Sequence, residues 1–231
     1  MAKSNAAVAV TKKMDLAVMG EMFDLKSNME GVEARLPQIK IIHQAQLFET
    51  PDGEKAPSIE GIILDINRIN AFWEESFDTS GGGTPPDCYS MDGITPDPFS
   101  SIKQSNSCTA CEQNKFGSDG GRGKSCKNMK RIHLMIEGDM LPYRLTIPPS
   151  NLKAVDLYVS LLTSKGIPYQ LVKTKLSLKQ VTNKDGIAYS ELVLINEALI
   201  NDRVEAQRIK NVRQEFMNVM RGQAIKIDDE L

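Results

Sequence analysis

The stretch Ser58-Ile59-Glu60-Gly61-Ile62-Ile63-Leu64-Asp65-Ile66-Asn67-Arg68-Ile69-Asn70-Ala71-Phe72-Trp73 decides the fold, because its density of Ile, Leu and aromatic residues reads as one long strand. Ile62, Leu64 and Ile66 share one face and Ile63, Asp65 and Asn67 the other, so the first set is expected buried and the second partly wet. Upstream, residues 33–49 read as another strand, and the turn signal Pro51-Asp52-Gly53 between the two predicts an antiparallel hairpin.

Strand patterns resume at Arg131–Glu137 and Tyr143–Ile147 and stop at Pro148-Pro149. Ser150 is placed to cap a helix through about Ser164, with Leu152, Val155, Val159 and Leu162 on one side and Gly166 and Pro168 ending it. Tyr169 to Lys179 alternates as a strand, with Tyr169, Lys173, Lys175 and Lys179 sharing a face. Asn183-Lys184-Asp185-Gly186 turns the chain into a last strand, Ile187–Ile195, and a helix runs to about Arg221. In residues 1–32, Leu16, Met19 and Phe23 lie at helical spacing, so a short amphipathic helix is expected there, a candidate for self-association or for packing on the protein's own core.

This order predicts a mainly β chain with helices, an elaborated OB-type barrel with a four-cysteine zinc-loop insertion and a C-terminal helix. An unrelated α+β sheet would give the same order of elements. The expected organisation is a flexible segment with its helix at 1–32, an OB-like domain at 33–200 interrupted by a zinc-binding insertion at 78–130, a helix at 201–222 and an acidic tail at 223–231.

The insertion departs from every neighbouring pattern: Gly81-Gly82-Gly83, Pro85-Pro86, Asp92-Gly93 and Pro96-Asp97-Pro98 exclude a long regular element, and all four cysteines lie within it. Cys88, Cys108, Cys111 and Cys126 form C-x19-C-x2-C-x14-C. A two-residue spacer lets both thiolates of the pair face one ion, and four thiolates close the tetrahedral shell of structural Zn2+. With Phe99 and Phe116 as its main large apolar residues, the insertion lacks a core of its own, and a metal supplies folding free energy directly. An iron–sulfur cluster takes the same four ligands. A thioredoxin-like pair needs a strand before it and a helix after it, and a catalytic zinc needs an open position; neither pattern is present. His43 and His133 sit within strand patterns and read as structural. Ser118 to Ser125 nearly spells a phosphate-binding loop, but Ser118 stands where glycine is needed, so these residues read as a flexible knuckle presenting Arg122 and Lys124.

The net charge of −2 hides an asymmetry: residues 103–184 hold 14 Lys or Arg against 5 Asp or Glu, and the remainder 14 against 25. A basic middle points to an anionic partner, although a solvated dipolar surface has the same count. Cations interleaved with rings suit unpaired nucleic acid, because lysines neutralise phosphates while rings stack on bases. The candidate contacts are Arg122, Lys124, Lys127, Lys130 and Arg131 on and beside the insertion, Tyr143 and Arg144 near the helix, Tyr169, Lys173, Lys175 and Lys179 on the strand, and Trp73. The tail Ile225-Lys226-Ile227-Asp228-Asp229-Glu230-Leu231 is acidic with an apolar end, as in tails that recruit replication and recombination proteins.

A barrel interrupted by a cysteine-bound loop, as in Pro85-Pro86-Asp87-Cys88 through Gly121-Arg122-Gly123-Lys124-Ser125-Cys126-Lys127-Asn128, resembles the zinc-containing OB-fold single-stranded DNA-binding proteins of bacteriophages and mobile elements. The resemblance is architectural and covers about residues 33–200. Members that place a histidine among their zinc ligands differ from the four cysteines here, so it carries over no ligand or contact. It implies a non-enzymatic binder of single-stranded nucleic acid in replication or recombination. A structural or assembly module whose zinc loop meets an acidic protein is the alternative, and a magnesium nuclease built on Asp87, Asp92 and Asp97 a third, although in their Gly- and Pro-rich setting these read as turn residues. No apolar run approaches membrane-span length and no signal pattern opens the chain, so a cytoplasmic location, bacterial or in an infected host cell, is expected.

Overall fold

The computed structural model describes residues 35–75, 84–182, 186 and 188–222. The expected N-terminal helix around Leu16, Met19 and Phe23, turn residues 183–185 and the acidic tail 223–231 lie outside the described residues. The elements in chain order are β1 (Gln38–Ile42), β2 (Leu47–Glu49), β3 (Lys55–Ala56), β4 (Ser58–Phe72), β5 (Cys88–Ser90), β6 (Lys127–Met135), β7 (Tyr143–Ile147), α1 (Leu152–Ser164), β8 (Val172–Thr182), β9 (Ala188–Leu199) and α2 (Arg203–Gly222). The strands join in one curled half-barrel sheet in the order β3-β2-β1-β7-β6-β4-β8-β9, with β5 attached to β4. Every pairing is antiparallel except that of β1 with β7.

Both faces of β4 are buried, which corrects the expectation of a wet side. Ile59 and Ile63 enter the main core with Ile132, Leu134, Leu145 and Ile147 of the neighbouring strands and Val155, Tyr158 and Leu162 of α1. Ile62 and Leu64 pack with Met135 and with Ile209 and Met220 of α2. A register shift between Ile63 and Asp65 inserts Leu64 as an extra residue. The C-terminal helix therefore supplies the second apolar layer, and strand periodicity alone gives no sign of it.

The expected hairpin between the first strand and β4 does not form. The first strand region breaks where Gln46 adopts φ +52°, and β1 and β2 pair with each other. The Pro51–Gly53 turn, with Gly53 at φ +87°, links β2 to the two-residue β3. β4 pairs instead with β6 along one edge, from Ile62 to Ala71, and with β8 along the other, from Ser58 to Ile62. β4 takes these longer ladders in place of the short hairpin.

Helix α1 lies where its apolar spacing placed it, but Ser150 is not its cap. A 3-10 turn, Pro149–Asn151, leads into it. Buried Asn151 donates to the Ser190 carbonyl (3.0 Å) and accepts from the Leu192 amide (3.0 Å), tying α1 to β9. Tyr169–Leu171 form another 3-10 turn, so β8 begins at Val172. On the α2 side of the sheet Asp65, 1% exposed, accepts from Arg221 Nε (2.9 Å) and Nη2 (3.0 Å) and from Arg213 Nη2 (3.3 Å), which pins the helix to β4. Across the ladder from Asp65 lies His133, fully buried; burial lowers its pKa to about 4, opposed in part by Asp65. Among the described residues, no helix is long and apolar enough to cross a membrane.

Candidate metal centre

The end of β4 gathers the cysteines. Phe72 pairs with Cys88 of β5 on one edge, while Ala71 pairs with Lys127, the residue after Cys126, on the other. Two cysteines 38 positions apart thus flank one strand end, and Phe72, Cys88 and Cys126 form a small buried cluster. The Cys108–Cys111 pair is brought in by loop hydrogen bonds. The Cys108 amide donates to the Ile94 carbonyl (2.8 Å) and the Cys126 amide to the Gln113 carbonyl (2.8 Å). Asn114 Nδ2 donates to the Cys108 carbonyl (2.7 Å).

All four thiols are buried, none is in a disulfide, and all four line one cavity of about 10 Å³. Burial, reinforced by the other three cysteines, pushes the Cys126 thiol up to about 12, against a lowering by Lys124. Burial also raises Cys108, opposed by hydrogen bonds from Ser90 and Asn70. The Cys126 thiol, held from ionising by burial and by the other three cysteines, suits a divalent cation, whose charge reverses that penalty. Among the described residues no group of three or more His, Cys, Asp or Glu is placed to hold a metal as it stands. A tetrahedral shell draws its sulfurs to about 2.3 Å from the ion. The donor set and the shared cavity fit such an ion; the side chains would have to close on it.

The knuckle is not the loose turn expected from its glycines. Asp119 Oδ1 accepts from the amides of Gly121 (2.8 Å) and Gly123 (3.1 Å), filling the position an anion would take. Ser118 Oγ donates to the Gln113 carbonyl (2.9 Å) and accepts from the Ser125 amide (2.9 Å), so the turn is internally braced. Asp92 and Asp97 likewise accept the backbone amides two residues on, those of Ile94 (2.7 Å) and Phe99 (2.9 Å), the turn role read from the sequence, while Asp87 accepts the amide of Glu74 (2.8 Å), 13 positions back.

The candidate contact residues are distributed unequally. Arg122 is exposed on the loop and Lys127 is exposed at the start of β6. Lys124 turns inward, its Nζ donating to Asn128 Oδ1 (2.9 Å) and Asn114 Oδ1 (3.1 Å) while lying 4.9 Å from the centre of the Phe116 ring. Lys130 is buried against Asp156 of α1, Arg131 is wholly buried, and Arg144 is buried with Nη2 on Gln38 Oε1 (2.5 Å). These three cations serve the sheet interior rather than a wet surface. Tyr143 and Tyr169 are half-buried, and burial raises both phenols. Lys173 pairs with Glu60 (3.3 Å) and Glu137 (3.8 Å), and Lys175 with Glu60 (3.6 Å) and Glu197 (3.9 Å), so that face is balanced; Lys179 beyond them is exposed. Trp73 is half-buried beside Ile69, Ala71 and Met129 and donates Nε1 to the Thr84 carbonyl (2.9 Å), as a core cap does.

The β8 lysines and the knuckle do not line one groove. β8 meets β4 at Ser58–Ile62 and β5 meets it at Asn70–Phe72. At about 3.3 Å per strand residue the two contacts stand roughly 26 Å apart. Between them Ile66, Asn67 and Arg68 border two hollows: one of about 450 Å³ with Met91, Asp97 and Arg221, the other of about 230 Å³ with Lys130, Val159 and Tyr169. The sequence reading missed Phe116, 82% exposed on the loop; an aromatic amid Gly, Ser and Lys was the available signal. No family model, curated protein or solved structure matches the chain.

Proposed function

We propose that the chain is a non-enzymatic binder of single-stranded nucleic acid, acting in replication or recombination of a phage or mobile element. A structural zinc ion held by Cys88, Cys108, Cys111 and Cys126 would organise its loop. The observation that carries this reading is the loop's inversion of ordinary burial: thiols inside, and Arg122, Lys127 and two phenylalanines, Phe99 and Phe116, outside. Exposed cations beside exposed rings are the two components that unpaired strands engage. The reading extends to the fold, since a curled, mainly antiparallel sheet with α1 set before its last two strands agrees with an elaborated, open OB-type barrel.

The test is a fluorescence-anisotropy titration of labelled oligothymidine at several salt concentrations. Affinity should fall steeply as salt rises, because each neutralised phosphate releases counterions. Absence of binding at low salt overturns the proposal. One observation favours an assembly module instead: Leu157 and Leu161 lie one turn apart on α1 and both are exposed. Cofractionation with assembled particles rather than with nucleic acid would select that reading.

A further inference from the structure

Water drives phenylalanine inward, yet Phe116 keeps 82% of its surface exposed on a loop that does not collapse over it. Its carrier is rigid. Gly117, at φ +91°, donates its amide to the Gly123 carbonyl (2.7 Å), and Ser125 Oγ donates to the Ser118 carbonyl (2.7 Å), closing the turn behind the ring. Lys124 sits over the ring with its ammonium 4.9 Å from the centroid, and Asn114 and Asn128 fix that ammonium in place. The cation backs the ring on one side and leaves the rest to solvent.

The surroundings narrow the occupant. A protein partner that buries an exposed ring wants a contiguous apolar patch, whereas Phe116 is flanked in the chain by Lys115, Gly117, Ser118 and Asp119 and has Lys124 over its ring. Duplex DNA offers no base face. An unpaired base offers a flat apolar face joined to phosphates, which matches one open ring backed by Lys124 on a loop that also exposes Arg122.

We infer that the open side of Phe116 is a stacking platform for an unpaired base of single-stranded nucleic acid, with Lys124 holding the ring and Arg122 and Lys127 taking the adjoining phosphates. This rests on the single-stranded nucleic-acid reading above. The test compares the unaltered protein with Phe116→Ala, Phe116→Leu and Phe116→Trp by anisotropy with labelled oligothymidine across salt. Because the ring is exposed, all three should keep the thermal midpoint of the parent. Phe116→Ala and Phe116→Leu should bind about tenfold more weakly with the same salt slope, and Phe116→Trp should keep parental affinity. Equal binding by parent and Phe116→Ala overturns the platform alone, as does full affinity in Phe116→Leu, which would mean apolar contact without stacking. A shallower salt slope in Phe116→Ala would mean that the ring only positions Lys124, and also overturns it. No binding by the parent overturns both this inference and the function on which it rests.

Discussion

The sheet and the cysteine loop share the end of β4 and are held together by opposite means. Around β4, Ile63, Leu64, Ile69, Ile132, Leu134, Leu145 and Ile147 are wholly buried, and cohesion comes from apolar area removed from water. In the loop the described regular structure is β5 and a 3-10 turn at Glu112–Asn114, and its order comes from short hydrogen bonds and four buried thiols. Burial buys order in the first region. In the second, order has to be imposed by polar closure and, on our proposal, by a metal, and its rings Phe99 and Phe116 stay outside.

The sharpest way to break this contrast is to remove one support at a time. Cys108→Ser or Cys111→Ser should release about one zinc per chain and speed amide exchange across residues 84–126 while the β4–β6 ladder stays protected. Leu134→Ala should do the reverse, lowering global stability by about 2–5 kcal/mol with the metal retained. Metal analysis and hydrogen exchange read both. A protein purified without metal, or one containing iron with visible absorbance, would sink the zinc proposal.

A smaller effect should separate the regions by pH. His133 is neutral in the folded sheet down to about pH 4, against an ordinary value of 6.5. Between those values the unfolded chain binds the extra proton, so this contribution is complete above about pH 6.5 and is lost as pH falls toward 4. Its size is on the order of 3 kcal/mol. Urea midpoints should decline over that window in the parent and more shallowly in His133→Leu. Parallel curves for the two proteins would show that His133 is not the group being titrated.

The smallest expected effect compares the two sets of cations. Arg122→Ala with Lys127→Ala should weaken oligothymidine binding several-fold and shallow the salt slope, as expected of phosphate contacts. Lys173→Ala with Lys175→Ala should change binding little, since Glu60, Glu137 and Glu197 already balance that face. The opposite ranking in the anisotropy titration would return the interface to β8.

Local pattern was legible wherever the chain's own periodicity is the cause of structure. Tyr143–Ile147, the body of α1 and the start of α2 follow from alternation or helical spacing, and the irregular loop follows from its Gly and Pro. The cysteine spacing likewise pointed to one site, because residue type and separation limit what four thiols can do. Partner choice was not legible. Nothing in Pro51-Asp52-Gly53 says that β2 will take β3 instead of β4, since that depends on the longer ladders β6 and β8 offer.

Burial was illegible for the same reason. Lys130, Arg131 and Arg144 look like surface cations in the sequence and lie inside the fold, where Asp156 and Gln38 receive Lys130 and Arg144. Phe116, one of the few large apolar residues of the loop, lies outside. By itself the sequence determined the bodies of β4, β7, α1 and β8, because those preferences act over a few residues. Which side of each segment meets water is set by elements distant in the chain, α2 over β4 above all, and only the tertiary structure decided that.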